Sequence, residues 1–193
     1  MLRIALVGNI ASGKSTVEEY LKTEGYFVLD TDKVCHELLV CDEITKAFAE
    51  YDIFENGTIS REKLGQLVFS NPKLKQMLED ILYPKVVIAI EEYFKKNSLE
   101  TIVFVAIPLM FEAGMRHLFD KVLFTYCDDN LRLNRLIKRN NYTEEYAKIR
   151  INAQMSQEDK VKESDFILYN NSSIEDLYNQ LNVVLEQLIS LEK

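Results

Sequence analysis

Residues that build metal sites and disulfide frameworks are scarce in this chain. Its three cysteines, Cys35, Cys41 and Cys127, are an odd number at spacings typical of no metal site or disulfide pattern. We therefore expect reduced thiols in a reducing compartment. The only histidines, His36 and His117, have no metal-ligand partners nearby in the sequence, so we expect both to be structural or to face solvent.

Long hydrophobic runs and net positive charge are also lacking. No apolar stretch approaches the length of a membrane-spanning helix, and the N-terminus is an apolar strand that runs directly into a loop, unlike a cleavable signal. The net charge of −8 argues against a general nucleic-acid-binding protein. We expect a cytoplasmic globular protein that binds neither nucleic acid nor membrane.

Five short segments have the pattern of strands that are buried on both faces. They are rich in β-branched and aromatic residues and lack strict polar alternation. The segments are Arg3–Gly8, Tyr26–Asp30, Thr101–Ile107, Lys121–Cys127 and Asp165–Asn170. Helical patterns separate them, including Lys14–Glu24 and a last helix preceded by a capping box of Ser172 and Glu175. Strands that alternate with helices predict an α/β fold with a parallel sheet.

The interval between the second and third strands is about seventy residues long, far more than a crossover needs. Asp32–Lys96 has mostly amphipathic helical patterns, interrupted by a turn at Asn56-Gly57 and by Pro72 and Pro84. We interpret it as a helical insert at the edge of the sheet where parallel strands deliver ligands.

The segment Gly8–Ser15, G-N-I-A-S-G-K-S, matches the phosphate-loop pattern G-x-x-x-x-G-K-[ST] between a strand and a helix. Its glycines let backbone N–H groups face phosphate oxygens, and the helix adds its positive N-terminal end. We expect Lys14 to reach the β- and γ-phosphates, Ser15 to bind Mg²⁺ and Thr16 to donate to the α-phosphate. A chance glycine-rich turn is the alternative, which the strand–loop–helix context disfavours. The predicted nucleotide-binding residues here are Gly8, Ala11, Ser12, Gly13, Lys14, Ser15 and Thr16.

Acidic residues follow the second predicted strand, in the run Leu29–Asp32. Alternation along a strand would send Asp30 and Asp32 to the same side. A carboxylate there could accept a hydroxyl proton or orient metal-bound water, as phosphoryl transfer to an alcohol requires. Alternatively, Asp32 caps the following helix. The residues alone favour neither reading.

A predicted helix carries Arg132, Arg135 and Arg139 on one face, because they are spaced three and four apart. Between Leu131 and Arg150 there are six basic residues and two acidic ones. One-sided arginines suit phosphate binding and predict a lid that closes over a nucleotide. A solvated helix face is the alternative.

Six motifs in order resemble those of the dephospho-coenzyme A kinase family, over nearly the whole chain. They are the loop Gly8–Ser15, the strand end Leu29–Asp32, Gly57–Phe69 with Arg61, Pro108–Glu112, the lid residues Arg135, Arg139, Thr143 and Gln154, and the last strand with Asp165, Ile167 and Asn170. The resemblance implies ATP-dependent phosphorylation of the ribose 3′-hydroxyl of dephospho-CoA, the last step of coenzyme A synthesis. The implied substrates are ATP and dephospho-CoA, with Mg²⁺.

The resemblance also implies a three-layer P-loop kinase-like α/β sandwich with a five-stranded parallel sheet, a helical insert and a lid. We expect the core at about 1–31, 99–128 and 161–193, the acceptor-side insert at about 32–98 and the lid at about 129–160.

The family further implies a role for individual residues. Asp32 would be the catalytic base, and Lys14 with Arg135 or Arg139 would stabilise the transferred phosphoryl group. Asn170 would lie near the adenine.

On the acceptor side the resemblance implies Arg61 and Glu112, and Tyr83 where the family commonly has histidine before proline. Asn9 and Ala11 stand where the family often has glycine, which implies a stiffer loop. Arg132 replaces a frequent glutamine and would add charge to the lid.

Two other functions share the phosphate loop. Another small-molecule kinase, acting on a nucleoside monophosphate, shikimate or a sugar acid, would usually have a shorter insert. A GTPase-type switch would need an N-K-x-D motif, which the chain lacks, and the third strand runs into Ile107-Pro108 instead of a Walker B aspartate. Both features favour the dephospho-CoA kinase interpretation.

Overall fold

The computed structural model describes residues 1–55 and 57–191. Its elements in chain order are β1 Leu2–Gly8, α1 Lys14–Thr23, β2 Phe27–Asp30, α2 Thr31–Leu38, α3 Asp42–Ala47, β3 Phe54–Glu55, β4 Thr58–Ile59, α4 Arg61–Ser70, α5 Pro72–Lys96, β5 Ile102–Ala106, β6 Lys121–Tyr126, α6 Asp129–Asn140, α7 Glu144–Asn152, α8 Gln157–Lys162, β7 Phe166–Tyr169 and α9 Ile174–Ser190. Within these ranges no helix is both long and apolar enough to cross a membrane. The chain divides into two compact units, one made of Met1–Asp30 and the chain from Phe94 onward, the other of Thr31–Tyr93.

The first unit contains a five-stranded parallel sheet in the order β2-β5-β1-β6-β7. Every predicted strand is present, and each end lies within one residue of its predicted position. Ile4 and Leu6 of the central strand pack with Val17 of α1 and Leu181 of α9. Since Ala5 and Val7, which alternate with them, are equally buried, both faces of β1 are covered. This burial explains the absence of polar alternation in the strand sequences.

Helix α9 has a different N-cap from the one predicted. Ser173 is extended, with φ −81° and ψ 164°, and its Oγ accepts a hydrogen bond from the Asp176 N–H at 3.2 Å. Ser172 instead donates from its hydroxyl to the Asp176 carboxylate at 2.7 Å. The predicted Ser172–Glu175 capping box was therefore wrong by one residue, because Ser173 is the residue with N-cap geometry.

The outer side of β7 is paired by a side chain of α9. Gln180 Oε1 accepts from the Tyr169 N–H at 2.9 Å, and its Nε2 donates to the Tyr169 carbonyl at 3.0 Å. Within residues 1–55 and 57–191, β7 pairs with β6 alone, so the Gln180 amide satisfies backbone groups that would otherwise need water.

The second unit, Thr31–Tyr93, is mostly helical, as expected of the insert region, with a small apolar core that includes Ile44, Phe48 and Leu64. It also contains the antiparallel pair β3–β4. This pair was not predicted, because strands of two residues are too short to show a periodic sequence pattern. The predicted turn at Asn56-Gly57 includes Asn56, which lies outside the described residues.

Proline has two different positions in helix α5. Pro72 is its first residue, where the missing N–H has no intrahelical partner to lose. Pro84 lies inside the same helix, so the prediction that it interrupts the helix was wrong. Buried Leu82 and Val86 flank the proline, and their packing offsets the loss of one backbone hydrogen bond.

Candidate active site

The phosphate loop connects β1 to α1 at the carboxyl end of the central strand. Its shape requires glycine at two positions. A Cβ at Gly8 would lie 2.5 Å from the hydroxyl oxygen of Ser12, and a Cβ at Gly13 would lie 2.1 Å from Nδ2 of Asn170. Gly13 also has φ 101°, which an L-residue adopts only with strain. The loop is closed internally by a hydrogen bond from the Ser12 N–H to the Asn9 carbonyl at 3.0 Å.

The N-terminus of α1 lies at the end of this loop and forms an anion site. In the described part of the chain, no side chain caps this helix end, so its first N–H groups and its dipole favour a bound anion. Lys14, the first residue of α1, has its ammonium 3.9 Å from a Glu18 carboxylate oxygen. Ser15 is exposed and Thr16 half-buried in the same helical turn. The residues present therefore fit a polyphosphate with an associated divalent cation.

Two loop residues stand where the related family often has glycine, and the structure gives each a specific setting. Asn9 is 4% exposed, and its Nδ2 donates to the Met155 carbonyl at 2.9 Å. Ala11 has φ 62°, a left-handed conformation that costs an L-residue about 1–2 kcal/mol. Asn9 thus gains a bond that glycine could not make, whereas Ala11 keeps a glycine-like conformation under strain.

The backbone of Ile10 is held on both sides by distant side chains. Its N–H donates to Gln154 Oε1 at 2.8 Å, and its carbonyl accepts from Arg132 Nε at 3.1 Å. Arg132 is 2% exposed and pairs with Asp129 at 2.7 Å. Burial lowers the pKa of the Arg132 guanidinium, and Asp129 opposes this shift. Gln157, also buried, donates to the same Asp129 oxygen at 3.1 Å.

The three arginines of α6 have different environments. Arg132 lies buried against the loop and pairs with Asp129, and its contribution of charge to a lid stays a prediction. Arg135 donates from Nη1 to Cys127 Sγ and from Nη2 to the Asn170 carbonyl, both at 3.2 Å. Arg139 is exposed and donates to the side chain of the next residue. Burial raises the pKa of the Cys127 thiol, although the nearby arginines oppose the shift.

The Asn170 side chain contacts the phosphate loop at Ser12 and Gly13. It is 8% exposed, and its Nδ2 donates to the Ser12 carbonyl at 2.8 Å. The same nitrogen occupies the space that a side chain at Gly13 would need. A contact of Asn170 with adenine stays a prediction, since its amide nitrogen is bound to the loop.

Glu112 and Lys160 hold the segment between α7 and α8. Glu112 Oε1 accepts from the Met155 N–H at 3.1 Å and pairs with the Lys160 ammonium at 2.8 Å. Lys160 is fully buried and also donates to the Pro108 carbonyl at 3.3 Å. Burial lowers the pKa of Lys160, and Glu112 opposes the shift. The acceptor-side role of Glu112 stays a prediction, because these contacts support the segment that carries Gln154.

Three predicted site residues belong to the second unit. Asp32 is the exposed second residue of α2, Arg61 is the exposed first residue of α4, and Tyr83 is half-buried within α5. Strand β2 ends at Asp30 and α2 begins at Thr31, so the prediction from strand alternation was wrong. The N-cap alternative for Asp32 was also wrong, since Asp32 is the second residue of the helix and not the residue before it. An acidic side chain in the first turn interacts favourably with the helix dipole.

Two buried polar side chains that support the neighbouring segments, Gln157 and Lys160, were not predicted as site residues. Both belong to the six-residue helix α8, too short to show a periodic pattern. The only signal for this region was the family motif that ends at Gln154.

The sheet and the loop together define the class of this protein. A central parallel strand that leads through G-x-x-x-x-G-K-S into a helix N-terminus, with a separate helical unit inserted between β2 and β5, is the architecture of P-loop kinases. The family model described as dephospho-CoA kinase matches residues 2–176, and the chain belongs to that family. The predicted fold class and family are both confirmed.

Relatives and solved structures agree with this assignment over the full length. The chain is 38% identical over 200 residues to a dephospho-CoA kinase of Geobacillus kaustophilus, covering 100% of this chain and 99% of the relative. It matches the crystal structure of a Thermus thermophilus protein with a TM-score of 0.86, 33% identity and 97% coverage of each chain. A dephospho-CoA kinase structure from Campylobacter jejuni matches with a TM-score of 0.76 and 31% identity, covering 99% of this chain and 98% of the other.

Proposed function

We propose that the protein transfers the γ-phosphoryl group of ATP to the ribose 3′-hydroxyl of dephospho-CoA, giving coenzyme A and ADP. Family membership supports both substrates. The observation that carries the proposal is the phosphate loop, which is shaped by Gly8 and Gly13 and followed at once by Lys14. The family match favours neither another small-molecule kinase nor a nucleotide-dependent switch. We place the reaction in the cytoplasm, where free cysteines stay reduced.

On the nucleotide side, Lys14 stabilises negative charge on the β- and γ-phosphates, and Thr16 donates to the α-phosphate. The exposed Ser15 hydroxyl is the proposed protein ligand of Mg²⁺. A magnesium ion held there would supply positive charge against the negative charge that develops during transfer. The backbone N–H groups of Ala11 and Gly13 and the positive end of α1 complete the cradle.

On the acceptor side, Asp32 takes the proton of the 3′-hydroxyl as that oxygen bonds to the γ-phosphorus and the bond to the bridging β-oxygen breaks. Arg139 is the better supported of the two proposed charge-stabilising arginines, because it is exposed whereas Arg135 already bonds Asn170 and Cys127. Arg61, Tyr83 and Glu112 remain the proposed acceptor-side residues, and Asn170 remains the proposed adenine neighbour.

A coupled ADP-release assay tests the reaction. With Mg·ATP we expect turnover on dephospho-CoA and none on shikimate, gluconate or nucleoside monophosphates. Turnover confined to a nucleoside monophosphate would refute the proposed acceptor.

Two substitutions test the assigned roles, each with a matched control. Lys14→Ala should lower kcat by roughly a hundredfold or more, because the ammonium group that stabilises negative charge in the transition state is removed. Lys22→Ala, which removes the other lysine paired with Glu18, should retain turnover.

Asp32→Asn should likewise lose roughly a hundredfold or more in kcat if it is the base. Asp42→Asn removes a carboxylate from the first turn of α3, the same kind of position, and should be near normal. A loss of only a few-fold in Asp32→Asn would assign Asp32 to orienting the acceptor.

A further inference from the structure

The segment between α7 and α8 is attached to the tip of the phosphate loop by two hydrogen bonds. Gln154 Oε1 accepts from the Ile10 N–H at 2.8 Å, and the Met155 carbonyl accepts from the Asn9 side chain at 2.9 Å. A third bond, from Arg132 Nε to the Ile10 carbonyl, arises from α6 at 3.1 Å. All of these residues belong to the first unit.

These bonds fix the two peptide planes that flank Ile10. Gln154 holds the plane before it through the N–H, and Arg132 holds the plane after it through the carbonyl. A trans peptide directs its C=O and N–H to opposite sides. The bond to Arg132 therefore turns the Ala11 N–H away from Arg132, and it fixes the plane from which Ala11 continues at φ 62°.

Ala11 would not keep this conformation by itself. Alanine prefers negative φ, and a left-handed residue persists only where its surroundings enforce it. Relaxation of Ala11 would rotate the peptide planes around it and redirect the N–H groups that face the phosphates. The Arg132 bond to the Ile10 carbonyl and the bond from the Ser12 N–H to the Asn9 carbonyl oppose rotation of the planes on either side of Ala11. The Gln154 bond to the Ile10 N–H limits how far Ile10 can turn with them.

We propose that Gln154 is a positioning residue for ATP, which keeps Ala11 left-handed by holding the Ile10 peptide and so keeps the loop in its anion-binding shape. The inference rests on the proposed use of this loop for ATP. Gln154 acts through Ile10 and Ala11 and touches no reacting atom. A glycine at position 11 would make the support unnecessary, because glycine adopts positive φ without a steric penalty.

The test measures Mg·ATP binding by calorimetry without any acceptor, in wild type, Gln154→Leu, Ala11→Gly and the double variant. Gln154 is half-buried, so its replacement is expected to leave the fold intact. Gln154→Leu should weaken binding by roughly three- to tenfold, because one net hydrogen bond no longer favours the competent loop. Ala11→Gly is the reference for the double variant: in that background Gln154→Leu should weaken binding by less than about twofold, because glycine keeps positive φ without support.

Gln180→Leu is the matched control. Gln180 is also a half-buried glutamine whose Oε1 accepts from a backbone N–H, that of Tyr169 at 2.9 Å, but it does not contact the loop. It should bind ATP like wild type and have a similar loss in Tm to Gln154→Leu. In the kinase assay at saturating ATP, Gln154→Leu should keep kcat within about twofold, since positioning limits binding and not the chemical step.

Each other outcome has a defined meaning. Unchanged ATP binding in Gln154→Leu, or an equal weakening by Gln154→Leu in the Ala11→Gly background, overturns the inference. Failure of Gln154→Leu to fold, with Gln180→Leu folded, overturns it as well, because the bond would then support the fold as a whole. A wild-type protein that binds no Mg·ATP would instead overturn the proposed function.

Discussion

Replacing Gly13 by alanine is expected to destabilise the protein through two separable effects. At φ 101° the new side chain imposes backbone strain, worth about 1–2 kcal/mol. Its Cβ would also lie 2.1 Å from Asn170 Nδ2. Asn170 must then move, which breaks its bond to the Ser12 carbonyl and forces an unfavourable rotamer, together about 1–2 kcal/mol. The total expected loss in free energy of unfolding is about 3 kcal/mol.

Gly25 separates the two effects. It has φ 87°, and a Cβ built there meets nothing within 4 Å, so Gly25→Ala should cost only the strain of about 1–2 kcal/mol. The difference between Gly13→Ala and Gly25→Ala then measures the steric conflict with Asn170. Urea unfolding gives both values, provided that the m-value is unchanged.

A double-mutant cycle with Asn170→Ala completes the test. Asn170→Ala alone should cost about 1 kcal/mol for the lost bond to Ser12. In the Gly13→Ala background it should cost almost nothing more, because that bond is already broken and the clash is relieved. The reasoning is refuted if Gly13→Ala costs no more than Gly25→Ala, or if the two substitutions are additive.

Four further predictions concern residues of the first unit. Glu112→Gln should cost up to about 3 kcal/mol in urea unfolding because it leaves a buried ammonium without its counter-charge, whereas Lys160→Met should cost less than about 1 kcal/mol. Burial lowers the pKa of Lys160 below its usual 10.5, so the unfolded chain binds more protons than the folded one as the pH approaches 10.5. The free energy of unfolding of the wild type should therefore rise toward pH 10.5, and this rise should be absent in Lys160→Met. Equal pH profiles of the two proteins would contradict the assignment. Ser173→Ala should cost about 1 kcal/mol as loss of an N-cap, more than Ser172→Ala, and the reverse order would favour the other serine as cap. Sulfate should raise the Tm of wild type more than that of Lys14→Ala in a thermal shift assay; equal shifts would mean that the anion binds elsewhere.

Features with a local sequence signal could be predicted well. The strands are short apolar runs because both faces of the sheet are covered, and this pattern defined their ends to within one residue. The loop Gly8–Ser15 was evident because its glycines are required by geometry at fixed spacing. The order of the six motifs along the chain then identified the family, although each motif alone would be weak evidence.

Contacts between distant residues could not be predicted in the same way. Gln154 is 144 positions from Ile10, and Asn170 is 158 from Ser12, so nothing in either local sequence indicates the bond. The arginine spacing on α6 predicted a shared face but not that Arg132 would be buried under the loop. Asp32 was misplaced on a strand because the change from β2 to α2 occurs without an intervening turn.

Cys127 has a practical consequence for following the motions of the site. It is fully buried beside Arg135, and its raised pKa leaves little of the thiolate that reacts with alkylating reagents. Cys35 and Cys41 are only half-buried and should be modified first. Slow alkylation of Cys127 would therefore report local opening of this part of the first unit. If ATP binding tightens the contacts around Arg135, it should slow that labelling. The measurement would then follow local opening without an acceptor and without turnover.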